Sequence, residues 1–451
     1  MNQKYQIVLK TFQKGGIHPP ENKLTAAKQT EVLPLPVSVA IPVSQHIGAP
    51  ATVIVNKGDS VKTGQVIAGS KGFVSVNIHS SVSGKVNKID SIVDTTGYKQ
   101  TAVFIDVEGD EWVDSVDRSD DIITDIKLSS EEIISRCQES GIVGLGGATF
   151  PSHVKLSVPS GKRCDLLIIN GVECEPYLTA DHRLMLEKGK EILVGISILM
   201  KALKIKRAQV GIENNKTDAI VHLKKLAASF EGIEICPLRV KYPQGAEKQL
   251  IKALTGREVP SGRLPIDVNV VVHNAGTAFA VYEAVQKNKP LIERVVTITG
   301  KTLANPGNYL VRIGTPVSLL IEKAGGLPDD TGKIISGGPM MGKALINTDI
   351  PVVKGMSGII LFPSSESDRM PSQPCIRCAK CVSVCPLGLE PYLLMLLAQK
   401  GLFEKAEEER ITDCMECGSC SYTCPAGRPL LDYIRLGKST VIKMARERVV
   451  K

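Results

Sequence analysis

The chain has 451 residues, 43% of them hydrophobic and 23% charged, with a formal charge of +8; this excludes a disordered, fibrous or membrane-embedded chain. Eight Phe, nine Tyr and one Trp are too few for the aromatic platforms of single-stranded nucleic-acid binding, so no nucleic-acid partner is expected. Of twelve cysteines, eight fall between Cys375 and Cys424. The opening Met1 to Val8 has no apolar leader core, so a cytoplasmic protein with reduced cysteines is expected. The longest apolar run, Ile192 to Met200, is flanked by Lys188, Lys190, Glu191 and Lys201; it is too short to span a bilayer and is predicted as a buried helix.

Up to about residue 120, short segments alternate apolar and polar residues: Ala51 to Val55, Val66 to Ala68, Val74 to Ile78 and Gly84 to Ile89. Glycine turns separate them, which predicts a small β sandwich. The stretches Asn56 to Gln65 and Ser80 to Val86 resemble a biotinyl/lipoyl-type barrel-sandwich domain, where a modified lysine sits between two such stretches. Phe73 stands at that place here, so a structural or docking role is expected.

From about residue 121 to 290, strands alternate with helices. Asp165 to Asn170, Ala208 to Glu213 and Ile233 to Val240 are predicted strands; His182 to Leu203 and Thr217 to Ser229 are predicted helices. This β-α-β-α-β order gives a parallel sheet, and such sheets bind ligands beyond the C-terminal ends of their strands. The loop Gly144-Leu145-Gly146-Gly147-Ala148-Thr149-Phe150-Pro151, followed by Lys155, brings backbone N–H groups and one point charge to an anion. It precedes a strand, unlike the standard dinucleotide fingerprint.

Asn170 to Pro176, Asp181-His182-Arg183, Gly245 to Gly256 and Val272 to Thr277 follow in order. With the loop, these stretches resemble the flavin- and NADH-binding subunit of respiratory complex I. The resemblance implies that Gly144, Gly146, Gly147 and Lys155 cradle FMN phosphate and NADH. It places Asn170, Glu173 and Glu175 beside isoalloxazine and nicotinamide, and adds Phe150, Asp181, Glu247 and Asn274 to the site. Ala246 replaces the first glutamate of one family stretch, and one residue is inserted before Asp181. Cys174, between two glutamates, is expected to be a small buried residue near the flavin.

Val295 to Gly300, Pro306 to Val311 and a helix near Val317 to Ala324 resemble the soluble-ligand-binding β-grasp domain of the same subunit, expected here to serve packing. A Ser/Pro-rich stretch from 363 to 374 marks a linker.

The run Cys375-x2-Cys378-x2-Cys381-x3-Cys385-Pro386 repeats as Cys414-x2-Cys417-x2-Cys420-x3-Cys424-Pro425. This is the bacterial ferredoxin spacing, in which the fourth cysteine serves the other cluster. One 4Fe-4S cluster is therefore assigned to Cys375, Cys378, Cys381 and Cys424, and the second to Cys414, Cys417, Cys420 and Cys385. Two three-plus-one runs fit tetrahedral zinc poorly. Between the runs, Leu389 to Lys400 and Phe403 to Thr412 read as helices, so the domain is an α-helical ferredoxin. The basic tail Lys443 to Arg448 reads as a solvated helix end.

With Gly15-Gly16-Ile17-His18-Pro19-Pro20 added, the whole chain resembles the C-subunit family of the Rnf ion-translocating ferredoxin:NAD oxidoreductase complexes. The expected fold is a multidomain α/β chain with four parts. These are a barrel-sandwich (lipoyl-like) module at 1–120, a Rossmann-like complex-I-type FMN/NADH domain at 121–290, a β-grasp domain at 291–350 and a ferredoxin-type domain at 364–451. The resemblance implies a peripheral subunit, without a transmembrane helix, on the cytoplasmic side of the bacterial inner membrane. It would carry FMN and two 4Fe-4S clusters and exchange electrons with NAD(H). Its partners would be ferredoxin, an iron–sulfur subunit and the integral membrane subunits that move Na+ or H+. Alternatives are a soluble flavin/iron–sulfur cobalamin reductase, or an iron–sulfur relay whose flavin site has decayed.

Overall fold

The computed structural model describes residues 9–450; Met1 to Val8, read above for a leader, lies outside them. The first module holds two small antiparallel sheets. One runs Ser38–Pro42, Lys99–Gly109, Ser83–Val93, Ser60–Val61; the other runs Thr52–Val53, Val66–Gly69, Ile78–His79. Alternation along the strands sends Val39, Ile41, Ile67, Val86, Val103 and Ile105 inward to a common core. The predicted strand over Val74 to Ile78 is mostly irregular. The Val74 carbonyl accepts from Ala49 N–H (3.1 Å) and Asn77 N–H donates to the Gln138 carbonyl (3.4 Å), so these groups are taken by neighbours outside the sheet.

Residues before Ser38 lie outside this sandwich. Lys10 forms a parallel bridge to Leu238, Ile17 an antiparallel bridge to Tyr242, and Thr30–Val32 pairs parallel with Gly307–Arg312. The N-terminal segment therefore laces two other modules.

The second module is a four-stranded parallel sheet in the order Ile233–Leu238, Ala208–Glu213, Leu166–Asn170, Val270–Asn274. Its last strand was not among those predicted: it is five residues long and follows a polar, Pro-containing stretch. The single helix predicted from His182 to Leu203 is two, Ala180–Glu187 and Gly189–Leu203, because Lys188 (φ −126°) leaves the helical region. The second buries Ile192, Leu193, Ile196, Leu199 and Leu203 and packs on Ala275–Gln286. Gly195 permits this contact, since a Cβ there would lie 1.9 Å from the Ala278 carbonyl oxygen.

The third module is a six-stranded mixed sheet in the order Thr30–Val32, Gly307–Arg312, Glu293–Thr299, Gly358–Pro363, Thr331–Ser336, Lys343–Ala344, with the helix Val317–Lys323 on its core. The stretch after 363 forms a short helix, Ser364–Ser367, and then runs exposed to the first cysteines. The last module is helical: Lys380–Ser383, Pro391–Gln399, Phe403–Glu408, Ser419–Tyr422 and Leu430–Val450. Among the described residues, no helix is long and apolar enough to cross a membrane.

Candidate functional site

In the parallel sheet the chain moves outward from Leu166–Asn170 in one direction and later returns on its other side as Val270–Asn274. Those two strands flank the topological switch point, the place where open parallel sheets leave a crevice for ligand. Asn170 and Asn274 are paired in register at its C-terminal edge.

The glycine-rich loop crosses this edge. It is closed by Gly144 N–H donating to the Phe150 carbonyl (3.0 Å), with Thr149 at φ +54°. A Cβ on Gly146 would lie 2.8 Å from Asn274 Nδ2, whereas one on Gly147 would meet nothing within 4 Å. Gly146 thus allows close packing, while Gly147 faces open space. Asn274 caps the following helix, its Oδ1 accepting from Gly276 N–H (2.8 Å) and Thr277 N–H (3.3 Å). Three buried polar atoms beside the loop and this strand end have no partner: Ser152 Oγ, His153 Nδ1 and His273 Nε2. Buried groups of this kind are normally paired. A phosphorylated ligand fits a glycine cradle, a helix N-terminus and unspent polar groups.

Lys155 extends to the same edge, donating to Glu247 Oε1 (2.7 Å) and to the Val272 carbonyl (3.0 Å). Asn170 Nδ2 donates to the Gly245 carbonyl (2.7 Å). Asn274 Nδ2 donates to Asp181 Oδ2 (2.6 Å). Gly144, Gly146, Gly147, Lys155, Asn170, Asp181, Glu247 and Asn274 therefore converge, while Phe150 closes the loop through its carbonyl.

The two glutamates diverge. Glu173 (φ +46°) caps the helix Ala180–Glu187, accepting from Asp181 N–H (2.8 Å) and His182 N–H (3.2 Å). Glu175 turns toward the third module and accepts from Met340 N–H (3.0 Å) and Met341 N–H (2.9 Å). The single proton of Tyr242 Oη is donated to the Cys417 carbonyl at 2.8 Å, with Glu175 Oε1 a longer, shared acceptor at 3.3 Å. Lys23, whose ammonium lies within 2.6–2.9 Å of the Glu173, Glu175 and Leu178 carbonyls, has no motif to announce it. Nor has Tyr242.

Burial, then the neighbouring Glu173, raises the Asp181 carboxyl to about 7. Its folded pKa thus exceeds the ordinary carboxylate value, so the stability its protonated form contributes is complete at acid pH and is lost as pH rises toward about 7. Asp181→Asn is expected to flatten the fall in thermal midpoint between about pH 4 and about pH 7. Parallel curves for variant and wild type would refute this origin.

The cysteine runs repeat one backbone conformation. Arg377 and Glu416 (φ +56° and +60°) match in position, as do Ala379 and Gly418 (φ +57° and +76°) and Gly388 and Gly427 (φ +68° and +57°). Alternation with left-handed residues turns successive N–H groups into an anion-binding nest, as Fe–S sites use. Cys385, Cys414, Cys417 and Cys420 line one pocket, walled by Leu389, Leu394, Leu431 and Ile434. The fourth cysteine of the first run therefore sits with three of the second. Burial pushes the Cys414 and Cys420 thiols up to about 11 and 12, so the cavity favours thiolates only with a cation among them. Four cysteines lining one apolar-walled pocket suit a cubane in their donor chemistry. Cys375 and Cys378 are exposed, Cys381 and Cys424 half-buried; Cys424 is close enough to Cys381 to act on its thiol, which burial chiefly raises.

The remaining cysteines are quiet. Cys137 and Cys236 are buried, and Cys174 Sγ accepts from Gly245 N–H at 3.3 Å. Burial raises all four thiols, that of half-buried Cys164 included, so none is a ready nucleophile. Phe73, at the carrier-lysine position, lies edge-on to His153 (5.8 Å between centroids), and its carbonyl is 2.7 Å from His153 Nε2. The first module thus docks on the helix that follows the glycine loop.

Four family profiles cover the chain: the RnfC barrel sandwich hybrid domain at residues 10–110, the Nuo51 FMN-binding domain at 137–283, the SLBB domain at 295–344 and a 4Fe-4S dicluster domain at 368–425. The chain is 50% identical over 437 residues to the C subunit of the proton-translocating ferredoxin:NAD(+) oxidoreductase complex of Clostridium ljungdahlii, covering 96% of this chain and 94% of that one. It is 44% identical to the C subunit of the Na(+)-translocating ferredoxin:NAD(+) oxidoreductase complex of Acetobacterium woodii, covering 96% and 98%. Among solved structures, an NAD+-reducing NiFe hydrogenase shares the fold over 69% of this chain and 63% of its own, with a TM-score of 0.51 and 17% identity.

Proposed function

Because the chain belongs to the C-subunit family of ion-translocating ferredoxin:NAD(+) oxidoreductase complexes, we propose that it is the component through which such a complex exchanges electrons with NAD(H). It carries an FMN-binding domain and a 4Fe-4S dicluster domain. Flavin supplies the exchange between hydride and single-electron transfer, and the cubanes carry single electrons. Gly144, Gly146, Gly147, Phe150, Lys155, Asn170, Glu173, Asp181, Glu247 and Asn274 would bind and orient FMN and NADH. Glu175 would act from behind the site, where it holds the amides of Met340 and Met341.

The observation that carries this reading is the placement of the cysteines. The buried set with Cys385 abuts the flavin domain, where Tyr242 Oη reaches the Cys417 carbonyl and Gln249 Nε2 donates to the Pro386 carbonyl at 3.3 Å. The set with Cys375 and Cys378 faces outward. An inner and an outer set in this order connect a nicotinamide site to an external iron–sulfur partner. Ferredoxin, an iron–sulfur subunit and the membrane subunits are the partners this supports, on the cytoplasmic face of the inner membrane. Two relatives of similar identity are named for different ions, which agrees with ion choice, Na+ or H+, residing in the membrane subunits.

Anaerobic protein reconstituted with FMN, iron and sulfide is expected to show NADH-dependent bleaching of the flavin followed by cluster reduction. It is also expected to co-purify with membranes of its source cell. Flavin that binds but does not respond to NADH would overturn the reading in favour of an iron–sulfur relay.

A further inference from the structure

The Gly15 to Pro20 motif marks the family resemblance yet takes no part in the site described above. Its position gives it work. Gly16 N–H donates to the Val384 carbonyl (2.8 Å), immediately before Cys385. Ile17 and Tyr242 exchange both backbone hydrogen bonds at 2.9 Å. Six residues later, Lys23 fixes the loop that carries Glu173 and Glu175.

Gly15 has φ +66°, and a Cβ there would lie 2.6 Å from the carbonyl carbon and oxygen of Cys385. Backbone on backbone leaves no room to yield, so only glycine lets the segment lie on that cysteine. Ile17, Tyr242 and Cys417 form one buried apolar cluster, with Met340 and Val384 at its edge. Tyr242 is 2% exposed, and its hydroxyl is shared between Glu175 and the Cys417 carbonyl. Gly418 repeats the close approach, a Cβ there falling 2.8 Å from the Met340 carbonyl oxygen.

We propose that residues 12–26 form an internal strap that positions the inner cysteine set against the flavin domain, fixed by Lys23, Ile17 and Gly15, with Tyr242 as the positioning residue that bridges to Cys417. The exposed stretch after residue 367 is the covalent connection into the ferredoxin-type domain. Domains joined by such a linker move relative to one another unless an interface holds them. The strap converts a tethered domain into a fixed one, and the Glu175–Tyr242–Cys417 chain sets where its inner corner rests. This proposal rests on the electron-transfer reading above for its purpose, but not for its geometry.

The test uses the full-length anaerobic protein carrying FMN and both clusters. Tyr242→Phe keeps the ring and removes the bridge. Iron, flavin and the rate of flavin bleaching by NADH are expected to stay at wild-type values, while cluster reduction, followed by freeze-quench EPR, slows by about ten- to a hundredfold, the usual cost of losing an outer-shell partner. Amide hydrogen exchange of residues 384–388 and 415–418 is expected to accelerate in the same variant, and Lys23→Met is expected to accelerate exchange of the Gly16 and Ile17 amides. Cluster reduction and exchange both unchanged in Tyr242→Phe would overturn the strap. Gly15→Ala is expected to disturb the inner cluster; should that variant fail to fold, Tyr242→Phe and Lys23→Met still decide. A wild-type flavin that NADH cannot bleach would sink the functional reading instead, and the exchange data would then judge the strap alone.

Discussion

Replacing Cys385 by Ser is expected to remove the cluster held by Cys414, Cys417 and Cys420, although Cys385 belongs to the other sequence run. About half the iron should be lost, flavin and its bleaching by NADH should remain, and electrons should no longer reach an external acceptor. The surviving cluster would be the outer one, ligated by exposed Cys375 and Cys378, and it should be attacked quickly by chelator. Cys424→Ser should give the reciprocal result, leaving an inner cluster walled by Leu389, Leu394, Leu431 and Ile434 that resists chelation. If Cys385→Ser instead leaves the protected cluster, each run binds its own cubane and the crossed assignment is wrong. The outcome is large because the two sets lie in series between flavin domain and surface, so either loss interrupts the path.

Lys155→Ala is expected to weaken FMN and NADH binding by about ten- to a hundredfold, since a hydrogen bond to a charged group contributes about 1.5–3 kcal/mol. Its ammonium is already aimed at the switch-point edge, held by Glu247 Oε1 and the Val272 carbonyl. A phosphate arriving there meets a positioned charge whose side chain has lost most of its freedom. Fluorescence titration of flavin-free protein with FMN measures the effect. Equal affinity in variant and wild type would show that the glycine loop binds phosphate without Lys155. Lys155→Arg separates charge from shape: a guanidinium keeps the charge but carries a wider fork, so partial recovery is expected.

Several parts of the candidate site are legible in the sequence. The cysteine spacing names eight candidate ligands, because a cubane needs three closely spaced thiolates from one loop and a fourth from elsewhere. The repeat even carries its left-handed positions, with Gly418 in one run and Ala379 in the other. Asn170 and Asn274 were marked by resemblance; their pairing across the sheet shows why both matter, since they end the two strands that flank the switch point. The fourth strand itself was missed, being too short for its pattern to stand out. The break at Lys188 has a local trace, since Glu187 to Glu191 carries no apolar side chain, but apolar residues on both sides read as one long helix.

Glu175 is the instructive case. Its neighbours in sequence group it with Glu173, yet Glu173 caps a helix in its own domain while Glu175 binds the amides of Met340 and Met341. Burial raises its carboxyl to about 7, as expected for an acid drawn into a junction between modules. Lys23, Tyr242 and Gly15 likewise act on partners 150 or more positions away.

The sequence by itself determined the doubled cysteine run, the parallel sheet, the glycine-rich loop and the family, because each is written in local spacing: cysteines per loop, apolar residues per turn, glycine where the backbone must approach. Only the tertiary structure decided which cysteine set faces the flavin domain, where Glu175 points and what the N-terminal glycines are for. Those depend on which surfaces meet when four modules pack, and contacts between residues hundreds of positions apart leave no period in the chain.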